Sequence, residues 1–468
     1  MKVLELTDWQ QRAQALSFID KALINGEFLA AESGATFASV NPATNELLAN
    51  VAACSAGDVD RAVSVARDTF ENGPWARMAP VERKQILLKL ADLMMANREE
   101  LALLDSLNMG KPVMDAWNID VPGAANVFSW YAESVDKIYD QVAPSASNVL
   151  ATITREPLGV IAAVVPWNFP LDMAAWKLAP ALAAGNSVIL KPAEQSPFSA
   201  LRLGQLALEA GVPPGVFNVL PGLGEVTGKA LGLHMDVDCL VFTGSTEVGK
   251  YFMQYAAQSN LKQVWLECGG KSANLVFADC QDLDLAAEKA AFGIFFNQGE
   301  VCTANSRLLV ERSIHDEFVE RLIAKSRQWL PGDPLNPAST AGAIVDSRQT
   351  TQIIAAIETA RSEGAQVVCG GKQSSHNGSS NFVEPTIICG VSNDMRIARE
   401  EVFGPVLAVI PFDDEDEAIR LANDSIYALA ASVWSDDLNR AHRVARKLRA
   451  GTVSVNTVDA LDVTVPFG

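Results

Sequence analysis

GVIAAVV (159–165), LDMAAWKLAPALAAG (171–185), SVILK (187–191), VFNVL (216–220), CLVFT (239–243) and QVWLE (263–267) decide the fold of this chain. Short β-branched runs alternate there with helical stretches, one near Ala200 to Ala210 and another after Ser245. Strands alternating with helices mean βαβ units and a parallel, doubly wound sheet. A second alternating block runs from Ser272 to Val455, with strand candidates ANLVF, RLLVER, VLAVIPF, LAASVWS and TVSVN. The expectation is two α/β lobes with a boundary near Glu267 to Lys271. Upstream, residues 58 to 135 read as mainly helical; VERKQILLKLADLMMANREELALL carries apolar residues at helical spacing. Asp140 to Pro157 fits neither lobe, and VLATITREP within it reads as a protruding strand. GGKQSSHNGSS from Gly370 reads as a surface loop.

A chain of 468 residues is long enough for two large lobes, and a composition 49% hydrophobic and 20% charged provides an ample core. The net charge of -19 argues against a nucleic-acid partner, because phosphate backbones need a face rich in Lys and Arg. The longest apolar run, Leu158 to Pro166, is far short of the roughly 20 residues a membrane helix needs. MKVLELTDWQ has acids and no apolar core, so no secretory signal is expected. The seven cysteines are an odd number, widely spaced and without CxxC, which points to a reducing, cytoplasmic setting and away from disulfides or structural zinc. None of the four histidines sits near a nucleophile motif, so a catalytic base would be a carboxylate.

The ends of the apolar runs carry the chemistry. In FTGSTEVGK (242–250) a strand ends at Gly244 and a helix begins at Ser245, where free N–H groups and the helix dipole favour an anion such as a pyrophosphate. Gly244 lets the backbone turn sharply beside a ligand. The spacing is not GxGxxG, and an ordinary capped turn explains it equally well. VVPWNFP (164–170) and KPAEQSP (191–197) each follow a strand of the same sheet, on the side where such sheets hold ligands. Glu194 is of the type that binds a ribose diol, and Asn168 is placed to donate to an oxyanion. LECGGKS (266–272) sets Glu267 beside a Gly pair. FNQGEVCTANS (296–306) sets Cys302 after a Gly turn among small and polar residues, unlike Cys239 in DCLVF. EEVFGPV (400–406) adds Glu401 and Phe403 before a strand.

In this order and spacing, PWNFP, KPAEQSP, FTGSTEVGK, LECGGKS, NQGEVCTA and EEVFGPV resemble the aldehyde dehydrogenase superfamily, from INGEF at Ile24 to VPFG at the end. IDVPGAA, HMDVD, SRLLVERSI and VTVPFG carry a narrower likeness to the γ-glutamyl-γ-aminobutyraldehyde and ω-aminoaldehyde dehydrogenases of bacterial polyamine catabolism. The resemblance implies an NAD-binding domain (1–139 and 159–267), an oligomerisation hairpin (140–158) and a catalytic domain (268–468). It implies Cys302 as nucleophile, Asn168 and the Cys302 N–H as oxyanion donors, and Glu267 as base. No metal enters. Lys191 and Glu194 hold the adenosine ribose, Trp167, Gly244 and Ser245 face the pyrophosphate, Glu401 holds the nicotinamide ribose, and Phe403 packs by the nicotinamide. NAD is favoured over NADP. For the substrate, Asp120 and Asp462 are expected to hold an amino group at the mouth of the tunnel, with Trp176 and Phe467 as its apolar walls. Cys268 stands where the family has an apolar residue or Ala, Asp172 where Leu is usual, and Leu461 where the nearer relatives have Gly. The family continues roughly 30 residues beyond Gly468, so a homodimer or homotetramer is expected when that tail is present. A broad-specificity dehydrogenase, a relative that passes its acyl group to coenzyme A and a silent structural relative are the alternatives.

Overall fold

The computed structural model describes residues 4–460 and 462–467; Leu461 and Gly468 lie outside them. Two seven-stranded sheets form the frame. The first runs in the order Gln263–Glu267, Cys239–Thr243, Val160–Val164, Ser187–Lys191, Phe217–Val219, Ala22–Ile24 and Glu27–Leu29. Its first five strands are parallel, and the last two form an antiparallel hairpin. The second runs in the order Gln366–Cys369, Thr386–Cys389, Val406–Phe412, Arg307–Glu311, Ala273–Val276, Ala430–Trp434 and Thr452–Val455, parallel except at its first strand. Each apolar run in the expected blocks is one of these strands, and LDMAAWKLAPALAAG is the helix Pro170–Ala183.

The strands read as continuous apolar runs because both faces of each sheet are buried. In Val160–Val164, Ile161 and Ala163 join the core made with Leu87, Phe128, Leu178 and Leu203. Val160, Ala162 and Val164 turn the other way, onto Val59, Ala62, Val63 and Ala66 of the helix Ala56–Asn72. The second sheet repeats the arrangement, with Leu275 and Leu309 on one face and Val276 and Leu308 on the other. Each fully buried Val, Ile or Leu contributes roughly 1.5–3 kcal/mol, so these two-sided sheets are the main source of stability.

Two expectations change. GGKQSSHNGSS is not a loop: Gln373–His376 and Ser379–Val383 form an antiparallel hairpin around Asn377 and Gly378, whose φ angles of 48° and 84° are those of a two-residue turn that twists with its strands. Gly244 does not sit in the left-handed region; it is required by space, because a Cβ there would press on the Phe242 ring. The segment after Asp140 forms a separate, exposed two-stranded ladder, Gln141–Val142 with Thr152–Ile153.

Arg307 ties the second sheet to its surroundings. It is 2% exposed, and its guanidinium donates to the carbonyls of Lys271 (3.0 Å), Leu421 (2.9 Å) and Ala422 (2.8 Å). Arg307→Lys replaces a planar fork by donors converging on one nitrogen, which cannot reach all three carbonyls and leaves buried acceptors unpaired. A loss of about 3 kcal/mol is expected, read as a lower urea midpoint; an unchanged midpoint refutes this role.

Candidate active site

A cavity of about 550 Å³ lies between the lobes. On one side it is walled by the ends of the first sheet. The chain leaves Val160–Val164 toward Ser187–Lys191 on one side and returns to Cys239–Thr243 on the other, so these two neighbours form the point where the winding reverses. Ligands of open α/β sheets sit in the crevice at such a point. Trp167 and Asn168 follow the first of these strands, Gly244 and Ser245 the second, and all four line the cavity. Ser245 caps the 13-residue helix Thr246–Gln258, accepting a hydrogen bond from the Val248 N–H (3.3 Å). Thr243, on the same wall, has a buried hydroxyl without a partner.

The second lobe supplies the opposite wall. Glu401 Oε1 accepts from the Gly270 N–H (3.0 Å); a Cβ on Gly269 would overlap the Glu401 carboxylate, and one on Gly270 would overlap the Cys302 carbonyl. Burial pushes Glu401 up to about 6, while the Gly270 N–H and the Lys271 charge hold it down. Phe403 has a φ of 54°, a strained angle for an aromatic residue. It is fixed by Gln349, whose Nε2 donates to the carbonyls of Val402 (3.0 Å) and Phe403 (2.8 Å). Its ring meets that of Trp167 edge-on at 5.3 Å, joining the lobes across the cavity. Lys191 and Glu194 are not on these walls. They pair with each other at 2.9 Å at the end of the adjacent strand. Burial works against the Glu194 charge, but the Lys191 ammonium and a backbone N–H from Gly224 hold the carboxyl below its ordinary range.

Cys302 stands between these walls at the end of a buried turn. Asn297, Gln298 and Gly299 all have positive φ (49°, 56° and 72°). The Asn168 Nδ2 donates to the Glu300 carbonyl (2.9 Å), and the Asn297 Nδ2 donates to the carbonyls of Asn168 (3.2 Å) and Glu300 (3.1 Å). Asn168 is thereby oriented beside Cys302 with one amide hydrogen committed and a second left for a ligand. Burial pushes the Cys302 thiol up, and the charges of Glu267, Asp459 and Glu401 push it further; only the Thr303 N–H acts the other way.

Glu267 acts on Cys302 through its charge, yet its carboxyl faces an adjoining cavity of about 200 Å³ with Lys177, Trp176 and Phe467. Burial raises Glu267 to about 7, against the pull of the Lys177 ammonium, and its Oε1 is buried without a partner. Burial in turn lowers Lys177, while Glu267 and Cys302 raise it. Sequence reasoning passed over Lys177, although Lys177 and Asp172 are the two charges in an otherwise apolar helix. That pattern was the available signal. Asp459, another unforeseen wall residue, accepts from the Thr303 hydroxyl at 2.7 Å.

At the far end the cavity is lined by Asp120, Trp176 and Phe467, the two rings meeting edge-on at 5.2 Å. Asp462 corrects the expectation made for it: it is exposed and accepts from its own loop, the Thr464 N–H at 2.8 Å, instead of reaching the cavity. Asp172 lines the cavity in its place.

The aldehyde dehydrogenase family model matches residues 28–468. The chain is 51% identical over 468 residues to the NADP/NAD-dependent aldehyde dehydrogenase PuuC of Escherichia coli (strain K12), covering 100% of this chain and 94% of that protein. It is similar to the structure of an indole-3-acetaldehyde dehydrogenase in complex with NAD+, at a TM-score of 0.99 and 55% identity, covering 100% of this chain and 94% of that one. It is equally similar to the gamma-glutamyl-gamma-aminobutyraldehyde dehydrogenase of Burkholderia cenocepacia, at a TM-score of 0.98 and 54% identity, covering 99% and 94%.

The raised thiol makes a direct prediction. Without cofactor, Cys302 should react slowly with iodoacetamide near neutral pH and faster as pH rises, because only the thiolate attacks. Glu267→Gln removes the negative charge that opposes the thiolate, so labelling at about pH 8 should accelerate several-fold. Slower labelling of this variant, followed by mass spectrometry at Cys302, would mean that Glu267 draws the proton from the thiol instead of repelling its charge.

Proposed function

This chain belongs to the aldehyde dehydrogenase family, and we propose that the aldehyde it oxidises carries an amino group at its far end, with NAD as the oxidant. The observation that carries this reading is that one cavity joins Cys302 to a ligand crevice at the winding reversal and to the buried carboxylate Asp120. Bound NAD supplies the hydride acceptor and a positive charge beside the thiol. The residues present suit it: the capped helix start at Ser245, the unpartnered Thr243 hydroxyl and the Glu401 carboxylate for one ribose, and the Lys191–Glu194 pair for the other. Trp167 would face the pyrophosphate, and Phe403 would pack at the nicotinamide end.

In this reading the Cys302 thiolate adds to the aldehyde carbonyl, and the oxyanion that forms is held by the free amide hydrogen of Asn168 and the Cys302 N–H. Loss of hydride leaves the acyl group on Cys302 as a thioester. Glu267, with a pKa near that of a base at working pH, takes a proton from the water that releases the acid. Asp120 attracts the substrate's ammonium, while Trp176 and Phe467 wall its methylene chain. We assign residues 1–139 and 159–267 to the cofactor domain and 268–468 to the catalytic one. The hairpin at 140–158, with Val142 and Leu150 exposed, suits a homodimer or homotetramer. Among the described residues no helix is long and apolar enough to cross a membrane, and a cytoplasmic setting fits the free cysteines.

Cys302→Ala should abolish NADH formation and keep NAD binding. Glu267→Gln should retain a burst of about one NADH per site followed by slow turnover, because acylation precedes the step that needs the base. Sustained turnover by the Cys302→Ala enzyme sinks the mechanism. Glu194 opposes a 2′-phosphate, so kcat/KM should favour NAD over NADP, and Glu194→Gln should shrink that preference; equal constants in the native enzyme contradict the assignment.

A further inference from the structure

Asp120 does not stand alone at the far end of the cavity. Asp172 lines the same wall from the helix Pro170–Ala183, packed against Gly123 of the neighbouring helix, where a Cβ would stand 3.3 Å from Asp172 Oδ1. Asp120 is 1% exposed, and the Oδ1 atoms of both Asp120 and Asp172 are buried without a hydrogen-bond partner. Asp105 and Asp115 lie behind them, and Lys111 is the cation whose charge acts on all four. That ammonium is already used: it is fully buried, paired with Asp120 and seated 4.0 Å over the Phe169 ring. Among the described residues that line the cavity there are four acids, Asp120, Asp172, Glu401 and Asp459, and no Lys, Arg or His.

One ammonium cannot neutralise four carboxyls, of which Asp105 and Asp120 are buried and Asp115 and Asp172 half-buried. Burial pushes Asp105, Asp115 and Asp172 up to about 7, and the Asp120 charge pushes them the same way against Lys111. An arrangement of this kind destabilises the empty protein and is relieved by a further cation. We propose that Asp172 and Asp120 together form an anionic subsite that receives the free primary ammonium of an ω-aminoaldehyde and turns away an aldehyde whose far end is a carboxylate alone, such as 4-oxobutanoate. The proposal rests on the aminoaldehyde reading above and narrows it. An ammonium has three donors, and the two orphaned oxygens accept two of them. A carboxylate brought to the same place meets only like charge, with no cation on the wall to receive it.

The groups that face Asp172 are Asp120, Asp105 and Lys111, with the Trp176 indole on its own helix. Asp172 therefore ionises as pH rises through about 7, and the preference for an ammonium should grow between about pH 6 and 8. Removing the carboxylate should also stabilise the empty protein, since a carboxyl with one orphaned oxygen among like charges is lost.

The test compares kcat/KM for 3-aminopropanal, for butanal, which has a methyl in place of the ammonium, and for 4-oxobutanoate, whose far end is a carboxylate. The native enzyme should prefer 3-aminopropanal to both, more so at the higher pH. Asp172→Asn and Asp172→Leu should each cut the 3-aminopropanal to butanal ratio about tenfold, flatten its pH dependence and favour 4-oxobutanoate relative to 3-aminopropanal. Both variants should melt at or above the native temperature, which separates the loss of preference from misfolding. If the preference exists and falls in Asp120→Asn but is untouched in both Asp172 variants, the two-carboxylate subsite is overturned while the aminoaldehyde reading stands. If the native enzyme does not distinguish 3-aminopropanal from butanal, the aminoaldehyde reading itself is lost, and the subsite with it.

Discussion

The active centre depends on one buried turn, Asn297 to Cys302. Two non-glycine residues in succession take left-handed φ angles, an arrangement that costs roughly 1–2 kcal/mol per residue if nothing holds it. Here it is held from three directions. Asn168 and Asn297 exchange amide contacts with the carbonyls on either side, the Gln298 side chain accepts from the Gly342 N–H (2.9 Å), and Glu300 accepts from the Val345 N–H (3.1 Å). Burial raises Glu300 well above the ordinary carboxylate range, against the hydrogen bonds from the Val345 N–H and the Gln298 side chain. Gly299 packs against the backbone at Gly404, where no side chain fits. The nucleophile is thus located by contacts from both lobes, and neither lobe alone defines its position.

The charge pattern around that nucleophile has two effects from one cause. Glu401 and Asp459 on the cavity wall, with Glu267 beside it and burial, hold Cys302 in its thiol form, and the same charges favour a cation in the cavity. Nucleophilicity is therefore coupled to what fills the cavity: a positive group arriving beside the sulfur both balances the wall and favours the thiolate. Lys177 extends the coupling, since its ammonium lies within electrostatic reach of both Glu267 and Cys302 on a helix that also carries Asp172.

Much of this was legible in the sequence because the sheets are buried on both faces. A strand such as Val160–Val164 has no solvated side, so it reads as an apolar run, and the polar residues at its end stand out as Trp167 and Asn168. The convergence of the strand ends was not legible, because strand order is set by packing hundreds of residues apart. Asp120 and Asp462 look alike as acids in family-like segments; only burial separates one in the wall from one on the surface. Asp172 and Lys177 were visible as charges in an apolar helix, but helical spacing does not say which neighbour each will meet. The hairpin at 373–383 was misread although Asn377-Gly378 is a strong turn signal, because its polar residues suggested a loop.

That hairpin also ties together distant parts of the chain. Ser379 donates its hydroxyl to the Pro42 carbonyl, and Asn381 donates its amide to the same oxygen at 3.1 Å, across 337 and 339 residues of chain. Contacts of such separation form late in folding, after the local βαβ units of each sheet have collapsed, because the intervening chain must be ordered before they are rewarded. The order of events then has a kinetic meaning. An intermediate with both sheets built and the hairpin undocked would show native secondary structure by circular dichroism, yet have no place for Cys302 to work. Recovery of activity on refolding should lag recovery of the spectrum, and the lag measures the docking of the hairpin.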